Sequence, residues 1–348
     1  MIIDDLLNRE EALNNYIKLN KSFRRTLVFR MGDSGGFFSE YNAMILAMLY
    51  CLTHQTRFIL HSYKGNFARE KGWEDFFLPF CTIIQGKPDV YVHTYANFRP
   101  FGLHGKIQMQ DGVWKWQLKK RVLNVLARGY NLFYPRTYFT QDLWDQFFYF
   151  QPHYDIPELG INGNIVQACH RLAQMTWHFN GKTGEEIQVL EKGLKLPQRY
   201  VSCHIRGGDK FMETKLLTID PYMERIKEQP YKDIFVLTDD YTVIDQLATQ
   251  YPTYKWYTLC EETERGYFHQ NFSKSDRELK YRSLLKLLAS VDIMTRSQRF
   301  IGTTTSNPSI FMDICRPDIS ESVDGDKNML YYLLYSETRL RSSPPYRT

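Results

Sequence analysis

The chain has 348 residues, 43% of them hydrophobic, and a formal net charge of +5. This length allows a sizeable core and suggests two domains of ordinary size. The positive excess is small and forms no dense Lys/Arg stripe, which argues against nucleic-acid binding but leaves room for a local basic pocket.

The cysteines and the N-terminus indicate the compartment. The six cysteines form no CxxC pair, so neither a zinc site nor a disulfide framework is expected, and reduced thiols suit a reducing compartment. The first residues, MIIDDLLNREEALNNY, are acidic where a signal peptide is basic. No run approaches the roughly 18 apolar residues of a membrane span. We therefore expect a cytoplasmic protein.

In chain order, the first predicted unit is a β-α-β opening. TLVFR reads as a strand, GDSGG as a glycine-rich turn, the following apolar stretch as a helix, and TRFILHS as a second strand. This alternation predicts a parallel sheet. Residues 114–192 have a mostly helical pattern, which ends before Pro197.

A second β-α series begins at Tyr200. The predicted strands are RYVSCHI, DIFVLTDD, YKWYTL and RFIGTTTSN, and helical patterns separate them. One helix, DPYMERIKEQ, opens with an Asp cap and a Pro at the first helical position. We therefore predict an α/β fold of two Rossmann-like halves with a helical middle segment, divided into domains 1–195 and 196–348.

Ligands of such sheets bind beyond the carboxyl ends of the strands. The strand end with the most charged and polar side chains is HIRGGDK. Arg206 can bind two phosphate oxygens at once, and His204 and Lys210 add hydrogen-bond donors. The alternative is an ordinary turn with an ion pair between Arg206 and Asp209. The GDSGG turn, with Gly35 and Gly36, is either a backbone cradle for phosphate or a plain tight turn.

Two further strand ends carry polar groups. Asp239 and Asp240 could cap the next helix, bind a divalent metal or hydrogen-bond ribose hydroxyls. Thr305, Ser306 and Asn307 precede a helix and could form a helix cap, an anion site or both. The histidines show no metal-ligand spacing, so no metal site is predicted. We expect all these strand ends to converge on one site.

The ordered set of motifs resembles the α1,6-fucosyltransferase group, which includes core N-glycan enzymes and bacterial chitin-oligosaccharide enzymes. HIRGGDK resembles the family's His-x-Arg-Arg-x-Asp-Lys motif, VLTDDYTVIDQLATQYPTYKW its Thr-Asp-Asp strand and following helix, and RFIGTTTSN its final Thr-x-Ser-Ser motif. Upstream, GNFAREKGWEDFF resembles the segment that contacts the nucleobase. The resemblance covers residues 25–315, and the ordered set is far more specific than any one member.

This resemblance implies a GT-B-like fold, GDP-fucose as the donor, inversion at the anomeric carbon and no metal requirement. The C-terminal domain would bind the nucleotide sugar, and the N-terminal domain would face a glycan acceptor. A transferase for another nucleotide sugar, and a non-catalytic nucleotide or sugar binder, remain the alternatives. Nothing resembles the family's membrane anchor, coiled coil or SH3 module, so we expect a compact soluble relative.

The resemblance also assigns roles to individual residues. Those expected to hold the phosphates are Arg206, His204, Ser306 and Asn307. Those expected to contact guanine are Phe67, Ala68 and Asp292. We include in the same donor site the strand-end residues Gly35, Gly36, Asp209, Asp239, Asp240 and Thr305.

The chain departs from the family pattern at two points. The second Arg of the motif is Gly207 here, which removes one positive charge. The expected catalytic base, a Glu after the motif, is displaced by one residue, and Glu213 is the candidate. Arg206 would then stabilise the leaving diphosphate while Glu213, with Lys210 beside it, accepts the proton of the acceptor hydroxyl.

Overall fold

The computed structural model describes residues 3–32, 36–86, 137–139, 151, 153–207, 218–266 and 275–325. These residues form eleven strands and eight α-helices, and nine of the strands belong to two separate parallel sheets. The remaining two strands form a short antiparallel hairpin.

The N-terminal sheet has the strand order β3-β2-β1-β4, and every pairing in it is parallel. Its strands are β1 Arg25–Arg30, β2 Thr56–His61, β3 Thr82–Ile84 and β4 Thr137–Phe139. The chain enters through helix α1, Ile3–Ser22, and helix α2, Phe37–Thr53, connects β1 to β2. Helix α2 is almost entirely apolar because it is covered both by this sheet and by the C-terminal half.

A connecting segment follows the first sheet. It contains the hairpin of β5 Tyr154–Ile156 and β6 Ile161–Gly163, then helices α3 Ile165–Thr176 and α4 Gly181–Leu194. Asn164 begins α3 with a capping box: its side-chain oxygen accepts from the main-chain amide of Gln167, and the side-chain oxygen of Gln167 accepts from the main-chain amide of Asn164.

The C-terminal sheet has the order β11-β10-β7-β8-β9 and is also entirely parallel. Its strands are β7 Val201–His204, β8 Asp233–Leu237, β9 Lys255–Tyr257, β10 Arg299–Gly302 and β11 Ser320–Ser322. The helices are α5 Asp220–Lys227, α6 Thr242–Gln250, α7 Arg277–Thr295 and α8 Asn307–Cys315. The central strands read as continuous apolar runs because helices cover both faces.

Two parallel sheets confirm the predicted α/β fold with two Rossmann-like halves and agree with a GT-B-like architecture. The helical middle segment is correct only in part. Residues 165–176 and 181–194 are helical, but residues 137–139 form β4, which pairs with β1, and residues 154–163 hold the hairpin. The rest of the segment up to residue 150 lies outside the described residues. The domain boundary at residue 195 stays a prediction.

An aromatic cluster joins helices α2 and α8, which belong to different halves. The Phe311 ring lies 4.9 Å from the Phe38 ring, 5.1 Å from Tyr41 and 4.5 Å from Trp177. The Asn42 side-chain amide also donates to the main-chain carbonyl of residue 307 at 3.0 Å. The first turn of α8 therefore lies against the first two turns of α2.

All six cysteines are unbonded, and three of them, Cys51, Cys169 and Cys203, are buried. Burial raises the pKa of each of these three thiols. Across the part of the chain that the structure describes, no helix combines the length and apolar character needed to cross a membrane.

Candidate active site

The carboxyl ends of β7, β8 and β10 lie side by side, because β7 pairs with both of the other strands. His204 is in register with Leu237 of β8, and Cys203 is in register with Ile301 of β10. Parallel strands place their carboxyl ends at one edge. The expected convergence of the three strand ends is therefore confirmed for their described residues.

The turn after β7 is held against the end of β8. The Ile205 amide donates to the Leu237 carbonyl at 3.0 Å, and the Gly207 amide donates to Asp239 Oδ1 at 2.7 Å. A Cβ atom at Gly207 would lie 3.0 Å from the Cβ of Asp240. The glycine therefore lets β7 approach the neighbouring strand end, and the half-buried Arg206 lies beside it.

Asp239 and Asp240 have different partners. Asp240 Oδ1 accepts from the amide and hydroxyl of Thr242, at 3.0 and 2.8 Å, and so caps the first amide of α6 from the position before the N-cap residue Tyr241. Asp239 accepts from Gly207, and its carbonyl accepts from the Gly266 amide at 2.8 Å. Of the three roles considered for this pair, the structure shows the cap. The described residues contain no group of three or more His, Cys, Asp or Glu able to hold a metal.

His204 and Ser306 form a buried contact between β7 and α8. Ser306 Oγ lies 2.8 Å from His204 Nδ1, and the two residues are only 3% and 6% exposed. Burial, reinforced by the Arg206 guanidinium, lowers the pKa of His204 to about 3, so its ring is neutral near neutral pH. Ser306 occupies the N-cap of α8, yet its side chain makes no capping hydrogen bond.

The loop between β10 and α8 is fixed by an aspartate that sequence reasoning missed. Asp324 Oδ1 accepts from the Thr304 amide at 2.7 Å and from the Ser322 hydroxyl at 2.8 Å. The Thr303 amide donates to Ser309 Oγ at 3.3 Å. Asp324 precedes a glycine just after the last strand, which is a turn signal that could have indicated it. Thr305, Ser306 and residue 307 are thereby held at the start of α8.

The N-terminal half contributes a second loop region. Gly36 is the exposed N-cap residue of α2, whose first turn lies next to α8. Phe67 and Ala68 are each 3% exposed, and the Phe67 ring packs edge-on against Phe37 at 5.3 Å. The Asn66 amide donates to the Gly32 carbonyl at 2.7 Å. Phe67 is thus a core residue in this structure, and it ties the loop after β2 to α2.

Asp292 is not brought to this edge. It lies one turn before the end of α7, and α7 leads into the amino end of β10, so Asp292 lies toward the opposite edge of the sheet. Its carboxylate accepts from Trp177 Nε1 at 3.4 Å and pairs with Arg296 at 3.4 Å. Desolvation raises its pKa despite the nearby Arg296.

Four of the predicted site residues lie outside the described residues. They are Gly35, Asp209, Lys210 and Glu213. Their expected roles stay predictions. In the described part of the site, the half-buried Arg206 follows His204 by two residues, and His204 contacts Ser306 at the start of α8, so a cation and a helix N-terminus lie at the same sheet edge.

Comparisons with known proteins give similarities among solved structures only. No protein-family model and no curated protein matches the chain. Fucosyltransferase NodZ from Bradyrhizobium is 12% identical, with 88% of this chain and 96% of that chain covered and a TM-score of 0.49. POFUT1 in complex with GDP-fucose is 13% identical, with 87% and 98% covered and a TM-score of 0.45.

A mutant of Arabidopsis thaliana FUT1 in complex with GDP is 12% identical, with 90% of this chain and 77% of that chain covered and a TM-score of 0.44. This chain is thus similar to solved structures of fucosyltransferases.

Proposed function

We propose that the chain is an inverting, metal-independent glycosyltransferase that moves fucose from GDP-fucose to a hydroxyl of a glycan acceptor. One observation carries the proposal: the contact between His204 and Ser306 brings two motifs, one containing Arg206 and the other the start of α8, to one sheet edge. The C-terminal half would bind the nucleotide sugar and the N-terminal half would face the acceptor. The six unpaired cysteines suit a reducing compartment such as the cytoplasm.

The reaction requires two changes of charge. The acceptor oxygen attacks the anomeric carbon of fucose while the bond from that carbon to the phosphate oxygen breaks, and the electron pair stays on GDP. The acceptor proton passes to a base. Arg206 and the start of α8 are suited to stabilise the charge that develops on the diphosphate. Attack opposite the leaving group inverts the anomeric centre.

Metal independence is supported by the contacts of the two strand-end carboxylates. Paired aspartates could hold magnesium with their oxygens. Here Asp239 is engaged by Gly207, and Asp240 is engaged by Thr242. Arg206 would therefore carry the electrostatic role, and transfer is expected to continue after exhaustive chelation with EDTA.

Donor identity is tested by thermal unfolding with a panel of nucleotide sugars, followed by transfer assays with and without EDTA. A donor that binds only the native state at about 100 times its Kd stabilises it by roughly 2.7 kcal/mol. We expect GDP-fucose to raise Tm more than GDP-mannose or UDP sugars and to release GDP when an acceptor is present. Stabilisation by a UDP sugar alone would indicate another transferase. GDP binding without turnover on any acceptor would indicate a binder.

Glu213 is proposed as the general base, with Lys210 orienting its carboxylate. Glu213→Gln is expected to leave the Kd for GDP-fucose unchanged, because the amide keeps the shape of the side chain. The transfer rate should fall roughly a hundredfold or more through loss of positioned proton transfer. The measurement is kcat beside donor affinity.

Glu224→Gln, which changes an exposed carboxylate on α5, is the matched control and should alter neither quantity. Full transfer by Glu213→Gln with a hydroxyl acceptor would remove this assignment, and the base would have to be sought among Asp209, Asp239 and Asp240.

A further inference from the structure

The contact between His204 and Ser306 determines how many hydrogen-bond donors these residues can offer a ligand. The Nδ1–Oγ distance of 2.8 Å is that of a good hydrogen bond, and both side chains are nearly inaccessible. Ser309 Oγ lies farther from the same nitrogen, at 3.4 Å, and already accepts from the Thr303 amide. Ser306 is therefore the main partner of His204 Nδ1.

The hydrogens of this pair can be counted. A neutral imidazole carries one N–H and a serine carries one O–H, so the pair has two hydrogens. Burial and the neighbouring Arg206 keep the pKa of His204 near 3, so a second ring proton is absent near neutral pH. One of the two hydrogens is used in the contact itself, whichever residue donates it. One hydrogen is left to point outward.

We propose that His204 and Ser306 act as a single hydrogen-bond donor toward the diphosphate, not as two independent contacts. This inference rests on the proposed function of the site. Either His204 donates to Ser306 and the serine hydroxyl faces the phosphate, or Ser306 donates to Nδ1 and the other ring nitrogen faces it. In both arrangements, removal of one residue takes away either the outward hydrogen itself or the partner that fixes its direction, which is a hydroxyl rotamer in the first case and a ring tautomer in the second.

The same contact explains why Ser306 does not cap α8. A serine at this position usually accepts from an amide of the first helical turn. Here its hydroxyl is directed to His204, and the side chain makes no capping bond. Pro308 has no amide hydrogen, but the amides of residues 307 and 309 lack partners within the helix, so they too can serve an anion.

The test is a double-mutant cycle on the Kd for GDP-fucose, measured by calorimetry for wild type, His204→Phe, Ser306→Ala and the double variant. Each single change should weaken binding roughly tenfold to a hundredfold, as for one hydrogen bond to a charged group. The double variant should lose no more than either single variant. Fold changes that multiply would mean two independent donors and would overturn the proposal.

Ser202→Ala is the matched control. Ser202 lies two residues earlier on β7, is fully buried and contacts Ser297 Oγ at 2.8 Å. Its loss should lower Tm without changing the Kd for GDP-fucose. If His204→Phe and Ser306→Ala behaved in the same way, the pair would be structural only, and the proposal would fail.

Two further readouts check the proton count. GDP-fucose is esterified at both phosphates, so it has no terminal phosphate that titrates near pH 6. Protonation of His204 should therefore cause no change in the Kd of the wild type for GDP-fucose between pH 5.5 and 8. Histidine nitrogen NMR of the ligand-free chain should show a neutral His204 ring at pH 5. Tighter binding on acidification that His204→Phe abolishes, or a cationic ring at pH 5, would overturn the single-donor proposal.

The binding measurements distinguish failure of the proposed function from failure of the single-donor proposal. If the wild-type chain binds neither GDP nor GDP-fucose, the proposed function fails, and the role of the pair at a diphosphate fails with it. If the wild type binds and the cycle is multiplicative, only the single-donor proposal fails.

Discussion

Arg206→Ala is expected to reduce transfer of fucose by about a hundredfold or more while the fold stays intact. Arg206 is a half-buried cation at the carboxyl edge of β7, and the neighbouring His204 is neutral near neutral pH. Loss of one charged donor to a developing anion costs on the order of 3 kcal/mol of transition-state stabilisation. The effect should appear in kcat/KM and in a weaker Kd for GDP.

The controls separate charge from fold. Arg206→Lys keeps the charge but loses the paired geometry, so it should recover only part of the activity. Arg282→Ala removes an exposed arginine from α7 and should change neither activity nor GDP affinity. Wild-type turnover by a folded Arg206→Ala variant would remove the central claim about this site.

Phe311→Ala is expected to lower the free energy of unfolding by about 4 kcal/mol, within the usual range for a buried phenylalanine. Phe311 is fully buried, and its ring packs against the rings of Phe38, Tyr41 and Trp177. Truncation would leave a cavity between α2 and α8. Urea unfolding monitored by circular dichroism gives the value.

The effect of this cavity should also extend to the proposed binding site. Helix α8 carries Ser306 at its start, so loosening its contact with α2 should weaken GDP-fucose binding in the fraction that remains folded. Phe311→Leu should cost less because it fills more of the space. Val189→Ala, at a position 70% exposed, is the surface control and should have little effect. A loss below about 1 kcal/mol for Phe311→Ala would contradict the role of this cluster.

Local pattern determined much of the fold. The alternation of apolar strands and helices identified eight of the nine described strands and helices in the C-terminal half and the β1-α2-β2 opening, because the apolar period of each element indicates the face that it buries. The convergence of the ends of β7, β8 and β10 also followed from sequence, since parallel strands share a carboxyl edge. The sequence also predicted the capping role of an aspartate at residues 239–240, because this contact joins residues only two positions apart.

Tertiary structure decided what depends on distant partners. Strand β4 forms inside a segment with a helical pattern because β1, more than 100 residues earlier, supplies its hydrogen-bonding edge. Asp292 lies away from the site because α7 runs toward the amino end of β10, and a motif match carries no direction. Burial beside Arg206 makes His204 neutral, and the contact with Ser306, 102 residues away, uses one of the two hydrogens that the pair carries. Sequence thus determined which chemical groups reach the edge, and packing determined their charge, their partners and the number of protons they can offer.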